Sequence, residues 1–156
     1  MSPVLETSRL VLRSRTASEA AVYRQLWTER DPRVPPHRRI GPDGRPTVAD
    51  LAARTAENPG LLAVERKDTA EVIGYCGLVF PGEEPELAYE LLRAAHGHGY
   101  ATEAGQAVVA WAREAGYRRL RATVWDWNLA SRRVLEKLGF RETGRTGHNL
   151  LAVREL

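Results

Sequence analysis

A mixed α/β fold built around one central sheet is predicted from three features of the sequence. Several short runs alternate apolar and polar residues at the two-residue period of strands. Other runs repeat their apolar residues at three- and four-residue steps, the spacing of helices. The two kinds interleave, and a glycine-rich segment at 96–101, His-Gly-His-Gly-Tyr-Ala, joins a strand-like run to a helix-like one. The resulting order is β-α-α-β-β-β-α-β-α-β-β.

Residues 9–15 alternate and read as the opening strand. Thr16-Ala-Ser-Glu19 has the form of a capping box. Ala20, Tyr23 and Trp27 then mark one helical face, which Asp31-Pro32 ends. Five prolines within residues 32–46 predict an irregular surface loop. A loop of that length is commonly functional. Thr47 to Asp50 caps a second helix, with Val48, Leu51, Ala52 and Thr55 on one face and Asn58-Pro59-Gly60 as its stop.

Residues 61–65 and 72–80 flank a turn at 66–68 and predict a hairpin. A third strand spans 86–93, with Glu86, Ala88, Glu90 and Leu92 on one face and Leu87, Tyr89 and Leu91 on the other. A helix is expected from Thr102 to Ala115, on the stripe Ala104, Val108, Trp111 and Ala115. Residues 119–127 form the next strand. Asn128 caps a last helix carrying Ala130, Val134 and Leu138, which Gly139 stops. Two short strands, at about 140–146 and 149–155, finish the chain.

The 156 residues suit one domain, 1–156, and 43% of them are apolar, enough for a core. A single cysteine, Cys76, excludes an intrachain disulfide. The opening residues lack a basic region followed by an apolar run, and no segment approaches the roughly 20 apolar residues of a membrane span. A cytoplasmic protein without membrane partners is the expectation. The charge is +3, and all basic residues but Lys67 and Lys137 are arginine. Arginine suits phosphate and carboxylate ligands, because its planar fork donates paired hydrogen bonds. Composition alone leaves nucleic acid and a phosphorylated small molecule both open.

The glycine loop narrows this. The N-terminus of a helix presents unpaired amides and a partial positive charge, and glycines let a phosphate approach them. No Gly-Lys-Ser/Thr is present, so the loop is not a nucleotide-binding P-loop. The glycine spacing also departs from a dinucleotide fingerprint. His96 and His98 lack the companions of a metal site, so no metal is expected. Cys76 reads as a core residue, and Trp125 and Trp127 as packing aromatics.

Two segments carry a family resemblance. Residues 86–104, Glu-Leu-Ala-Tyr-Glu-Leu-Leu-Arg-Ala-Ala-His-Gly-His-Gly-Tyr-Ala-Thr-Glu-Ala, resemble the acetyl-CoA-binding signature of the GNAT superfamily of N-acetyltransferases. Residues 127–140, Trp-Asn-Leu-Ala-Ser-Arg-Arg-Val-Leu-Glu-Lys-Leu-Gly-Phe, resemble its second signature. Both look most like the branch that acetylates ribosomal-protein N-termini. The spacing and element order extend the likeness over nearly the whole chain.

The resemblance implies acetyl-CoA as cosubstrate, direct attack by an acceptor amine on the thioester, and a set of roles. The loop residues His96, Gly97, His98, Gly99, Tyr100, Ala101 and Thr102 would hold the pyrophosphate through backbone amides. Leu91, Leu92 and Arg93 would pair with the pantetheine arm, and the amide of Leu91 or Leu92 would polarise the thioester carbonyl. Asn128 and Ser131 would line the arm near its sulfur. Glu86 is the candidate base, with Glu90 as second choice. Ser131 is the candidate acid. His96 stands where relatives carry arginine or glutamine, and Leu135 where many carry a tyrosine. The acceptor is expected against residues 16–60, where Arg33, Arg38, Arg39 and Arg45 suggest an anionic group. A homodimer is compatible with the sequence. The alternative is a non-catalytic acyl-CoA-binding or nucleic-acid-binding module on the same fold, motivated by Leu135.

Overall fold

In the computed structural model, which describes residues 2–156, the chain opens with strands β1 (Leu5–Glu6) and β2 (Leu10–Ser14). Thr16 then donates its amide to the Glu19 carboxylate at 2.9 Å, the backward arm of the expected capping box. A single 3-10 turn leads into α1 (Ala20–Glu29). The proline-rich stretch is irregular as expected, apart from a short turn at Pro36–Arg38. In α2 (Val48–Arg54), Thr47 and Asp50 cap each other reciprocally.

Strands β3 (Leu61–Arg66) and β4 (Val72–Val79) form the hairpin, and β5 (Glu86–Leu91) pairs antiparallel with β4. After the glycine loop come α3 (Tyr100–Glu114) and β6 (Arg119–Trp125). Helix α4 (Leu129–Lys137) and strands β7 (Arg141–Thr146) and β8 (Asn149–Glu155) end the chain. One sheet of eight strands results, in the order β1-β2-β3-β4-β5-β6-β8-β7.

Several elements differ from the sequence expectation. β1 is only two residues long and has no readable period. α2 stops at Arg54, several residues before Asn58-Pro59-Gly60. β5 stops at Leu91, because the chain turns through a 3-10 turn at Arg93–Ala95. α3 starts at Tyr100, two residues early, because Gly99 is its cap with φ +79.

Each face of the sheet carries its own helices. The larger core joins Leu12, Leu62, Leu87 and Leu120 of the strands to Ala104 and Val108 of α3 and Leu135 of α4. The smaller one joins Ala20, Tyr23 and Leu26 of α1 to Leu51 of α2, against Tyr75 and Leu92. So β5 presents Leu87, Tyr89 and Leu91 towards α3 and α4, and its even-numbered side chains towards α1 and α2.

Candidate active site

The site begins where the sheet comes apart. β5 is held along one edge by β4, in register from Val79 opposite Glu86 to Gly74 opposite Leu91. Its other edge meets β6 at a single parallel pair, Glu86 with Arg121, closed by the Arg121 amide donating to the Pro85 carbonyl at 3.0 Å. On its far edge β6 is held by β8 along its whole length, from Arg119 to Trp125, while β5 meets it at that one pair. The two strands therefore diverge beyond Glu86, and one edge of β5 is left without a strand.

The register decides which amides face that opening. In an antiparallel ladder, successive residues turn their backbone groups to opposite edges. The Leu92 amide donates to the Ile73 carbonyl at 2.8 Å, so it faces β4 and is occupied. The Leu91 amide consequently faces the opening. Of the two amides singled out from the sequence, Leu91 is the one free to receive a ligand.

The β4–β5 contact is unusually close at this level. A Cβ on Gly74 would stand 2.1 Å from the Glu90 carbonyl oxygen, and its φ is +153, so only glycine fits. The β3–β4 register also shifts by one residue between Val64 and Glu65, leaving Ile73 as a bulge on β4. Bulges bend a strand and re-aim its groups beside active sites.

The glycine loop closes the same end. Gly97 and Gly99 both lie at φ +79. Among the described residues, the amides of 97–102 make no hydrogen bond, and the first helical bond of this end runs from Glu103 to the Gly99 carbonyl. Six consecutive free amides at a helix N-terminus suit a pyrophosphate. His96 does not point its ring at this cradle: its Nε2 lies 2.9 Å from the Leu91 carbonyl and ties the loop to the end of β5. A cation reaches the cradle from elsewhere. Arg9 stacks on Tyr100 with its guanidinium carbon 4.4 Å from the ring centroid, and a Cβ on Gly99 would lie 3.6 Å from its Nη2. Glu103 holds Arg9 through Nε and the backbone amide.

Across the opening, Asn128 caps α4 by accepting from the Ser131 amide at 3.2 Å. The Ser131 hydroxyl lies 2.7 Å from the phenol of Tyr89, which leaves β5 on the α4 side. Sequence reasoning missed Tyr89, whose place in the alternating pattern marks only a half-buried residue. Burial pushes its phenol up to about 12, although the Ser131 hydrogen bond acts the other way. Leu135 is buried in the core and presents no polar group.

The two carboxylates of β5 have different surroundings. Glu86 sits at the point of divergence and accepts from the Thr123 hydroxyl at 3.1 Å. Glu90 is clamped by Arg30, Nε to Oε2 at 3.0 Å and Nη2 to Oε1 at 2.9 Å. The guanidinium lies 4.1 Å from the Trp27 ring centroid. Both Glu90 oxygens are thus engaged by one guanidinium. Burial opposes the charge on Arg30, but pairing with Glu90 outweighs it and raises the basicity of the guanidinium. Cys76 is fully buried on β4, and burial lifts its thiol to about 12, which suits a core residue.

Of the loop arginines, Arg33 is paired with Asp31 and stacks on Trp127 at 4.2 Å. Trp127 stands parallel to Trp125, 6.3 Å between centroids. Arg39 donates to the Val34 carbonyl at 2.7 Å. Both are committed to shaping the loop over the end of β6. No helix of the described residues is long and apolar enough to cross a membrane.

Comparison with known proteins agrees with this geometry. Residues 9–141 match the family model of the acetyltransferase (GNAT) domain. The chain is 31% identical over 157 residues to the N-acetyltransferase YoaA of Bacillus subtilis, covering 92% of this chain and 86% of the relative. It is 32% identical over 152 residues to the N-acetyltransferase p20 of Bacillus licheniformis, covering 90% and 83%. A GNAT-family acetyltransferase from Bacillus anthracis superposes with a TM-score of 0.80 at 21% identity over 98% of both chains. RimL, a ribosomal L7/L12 alpha-N-protein acetyltransferase solved with coenzyme A, superposes with a TM-score of 0.75 at 15% identity, over 99% of this chain and 98% of that one. With its diverging strands and free-amide loop in the matched region, the chain belongs to the GNAT acetyltransferase family.

Proposed function

We propose that the protein transfers the acetyl group of acetyl-CoA to a primary amine by direct attack, without an acyl-enzyme. The observation that carries this reading is the opening between β5 and β6, with the Leu91 amide facing it and six free amides at its end. Acetyl-CoA supplies the activated acyl group. The amides of 97–102 bind its pyrophosphate, and the open edge of β5 at Leu91 pairs with the pantetheine arm and polarises the thioester carbonyl. Leu92 contributes its side chain to the wall, since its amide is taken by Ile73. Arg93, whose own amide is bonded to Glu29, fixes the turn that leads into the loop.

Glu86 removes the amine proton, directly or through water; its partner, the Thr123 hydroxyl, leaves carboxylate lone pairs free. The leaving sulfur takes a hydrogen bond from Ser131, which Tyr89 orients and Asn128 positions. The buried Cys76 thiol takes no part. This assignment replaces the tyrosine that many relatives carry at the Leu135 position with a hydroxyl pair built from two elements.

The test is release of free CoA when the purified protein meets acetyl-CoA and a panel of amines. Kinetics with both substrates varied should give intersecting double-reciprocal lines. Parallel lines would point to an acyl-enzyme and overturn direct attack. Acetyl-CoA binding without turnover on any amine would favour a non-catalytic binding module.

A further inference from the structure

A compact pocket of about 190 Å³ lies on the α1 and α2 side of the sheet. Its walls combine an apolar and aromatic part, Tyr23, Leu26, Trp27, Leu51 and Tyr75, with a polar part that includes three arginines. Glu90 lines it on β5, one residue before Leu91, and so at the level of the thioester site proposed above. Its volume falls below the roughly 300–1,000 Å³ of drug-sized sites, so it selects a small body.

The charges in this pocket do not balance. Arg30 and Glu90 neutralise each other. Arg15 donates to the carbonyls of Leu61, Thr55 and Asn58, which satisfies its hydrogen bonds and leaves its charge without a counter-ion. Arg54, at the exposed end of α2, makes no hydrogen bond or ion pair among the described residues. The lining thus carries three arginines against the single carboxylate of Glu90, and Arg15 and Arg54 are its excess cations, Arg54 shared with Asp50 one turn earlier on α2. They also stand away from the reacting end. Arg15 is anchored at Leu61 on β3, whereas Glu90 is on β5, two strands away, or about 10 Å at the usual strand spacing.

We propose that this pocket is the acceptor subsite and that it takes a free, compact primary amine with an apolar body and an acidic group remote from the amine. The proposal rests on the transferase reading above. The amine lies towards the Leu91 edge, beyond the Arg30–Glu90 pair. The apolar body fills the space among Tyr23, Trp27 and Tyr75. The acidic group meets Arg54, with Arg15 behind it. A carboxylate and a phosphonate share this chemistry, because the guanidinium fork accepts either.

The experiment compares para-aminomethylbenzoate, its phosphonate counterpart, benzylamine and a short peptide with a free N-terminus. Acetyl transfer is followed by CoA release, and acetyl-CoA binding is measured separately by calorimetry. One or both acidic amines should exceed benzylamine in kcat/KM by about tenfold, as expected for a charged hydrogen bond. Which of them leads identifies the acidic group. Arg54→Ala should raise KM for the acidic amine by a similar factor, leave benzylamine unchanged and leave acetyl-CoA affinity intact. Arg54→Lys should restore part of the loss. Benzylamine or the peptide as the better acceptor overturns the proposal, as does an Arg54→Ala effect equal on all amines. Acetyl-CoA binding with no turnover of the acidic amines also overturns it. Failure to bind acetyl-CoA at all would instead sink the transferase reading.

Discussion

The phenol oxygen of Tyr89 lies 2.7 Å from the hydroxyl of Ser131, joining β5 to α4 across the point where β5 and β6 separate. This bond has two consequences, one for chemistry and one for stability. If Ser131 donates to the leaving sulfur and Tyr89 orients it, Ser131→Ala should lower kcat by about 10²-fold. Tyr89→Phe should lower it less, by about tenfold, with little change in KM for either substrate. The phenylalanine variant leaves a partly buried hydroxyl unpaired, so it should also cost about 1 kcal/mol in urea denaturation. In the double variant the kcat losses should not add, because both act on one donor. Full additivity would separate the two residues.

Glu86 and Glu90 share a face of β5, yet only Glu90 is locked in an ion pair. Glu86→Gln should therefore reduce kcat by about 10²-fold while leaving acetyl-CoA affinity unchanged. Glu90→Gln should act differently. It leaves Arg30, whose side chain is 11% exposed, with an unmatched charge, so the main effect is lost stability, of about 2 kcal/mol or more. Thermal unfolding of both variants beside their kinetics distinguishes the roles. Equal kinetic losses at near-wild-type stability would undo the assignment.

The glycines near the cofactor end differ in what holds them. Gly99 lies at φ +79, with only Arg9 near its missing Cβ, so Gly99→Ala suffers a backbone penalty of about 1–2 kcal/mol and no serious clash. Its KM for acetyl-CoA should rise, because the amides of the cradle shift. Gly74→Ala would drive a methyl into the Glu90 carbonyl. That change should push β4 from β5 and cost more than Gly99→Ala. Melting temperatures in the reverse order would show that the two strands can part there cheaply.

Much of this was legible in the residues before the fold was known. Both capping boxes, Thr16 with Glu19 and Thr47 with Asp50, are local signals within four residues of chain, and both start helical segments where expected. The element order follows from period, apart from the two-residue β1, which has none. The pairing of Arg30 with Glu90 spans sixty residues and has no local trace. Nor does the choice of Leu91 over Leu92 as the free amide, which depends on Ile73 occupying the other edge. Nor does the divergence of β5 and β6, which pair only at Glu86 with Arg121. Each of these needs the tertiary register. Tyr89 was hidden for a related reason, since alternation marks which face it occupies and says nothing of the helix it meets.

The buried protonated groups around β4 and β5 set the alkaline limit of the fold. Burial raises Cys76 and Tyr89 each to about 12, and it also raises Tyr23 and Tyr75. Their unfolded counterparts release protons from about pH 8.5 for the thiol and about pH 10 for the phenols. The folded state thus holds these protons more tightly. Its stability is unaffected below the unfolded values and falls as pH rises towards about 12, by up to about 1.4 kcal/mol per pH unit for each group. Cys76→Ala should lower stability at neutral pH, by about 1 kcal/mol for the lost packing, yet flatten the alkaline decline. Urea midpoints measured from neutral to strongly alkaline pH give both slopes. If the variant declines as steeply as the parent, the Cys76 thiol is not protected from ionisation in the folded state.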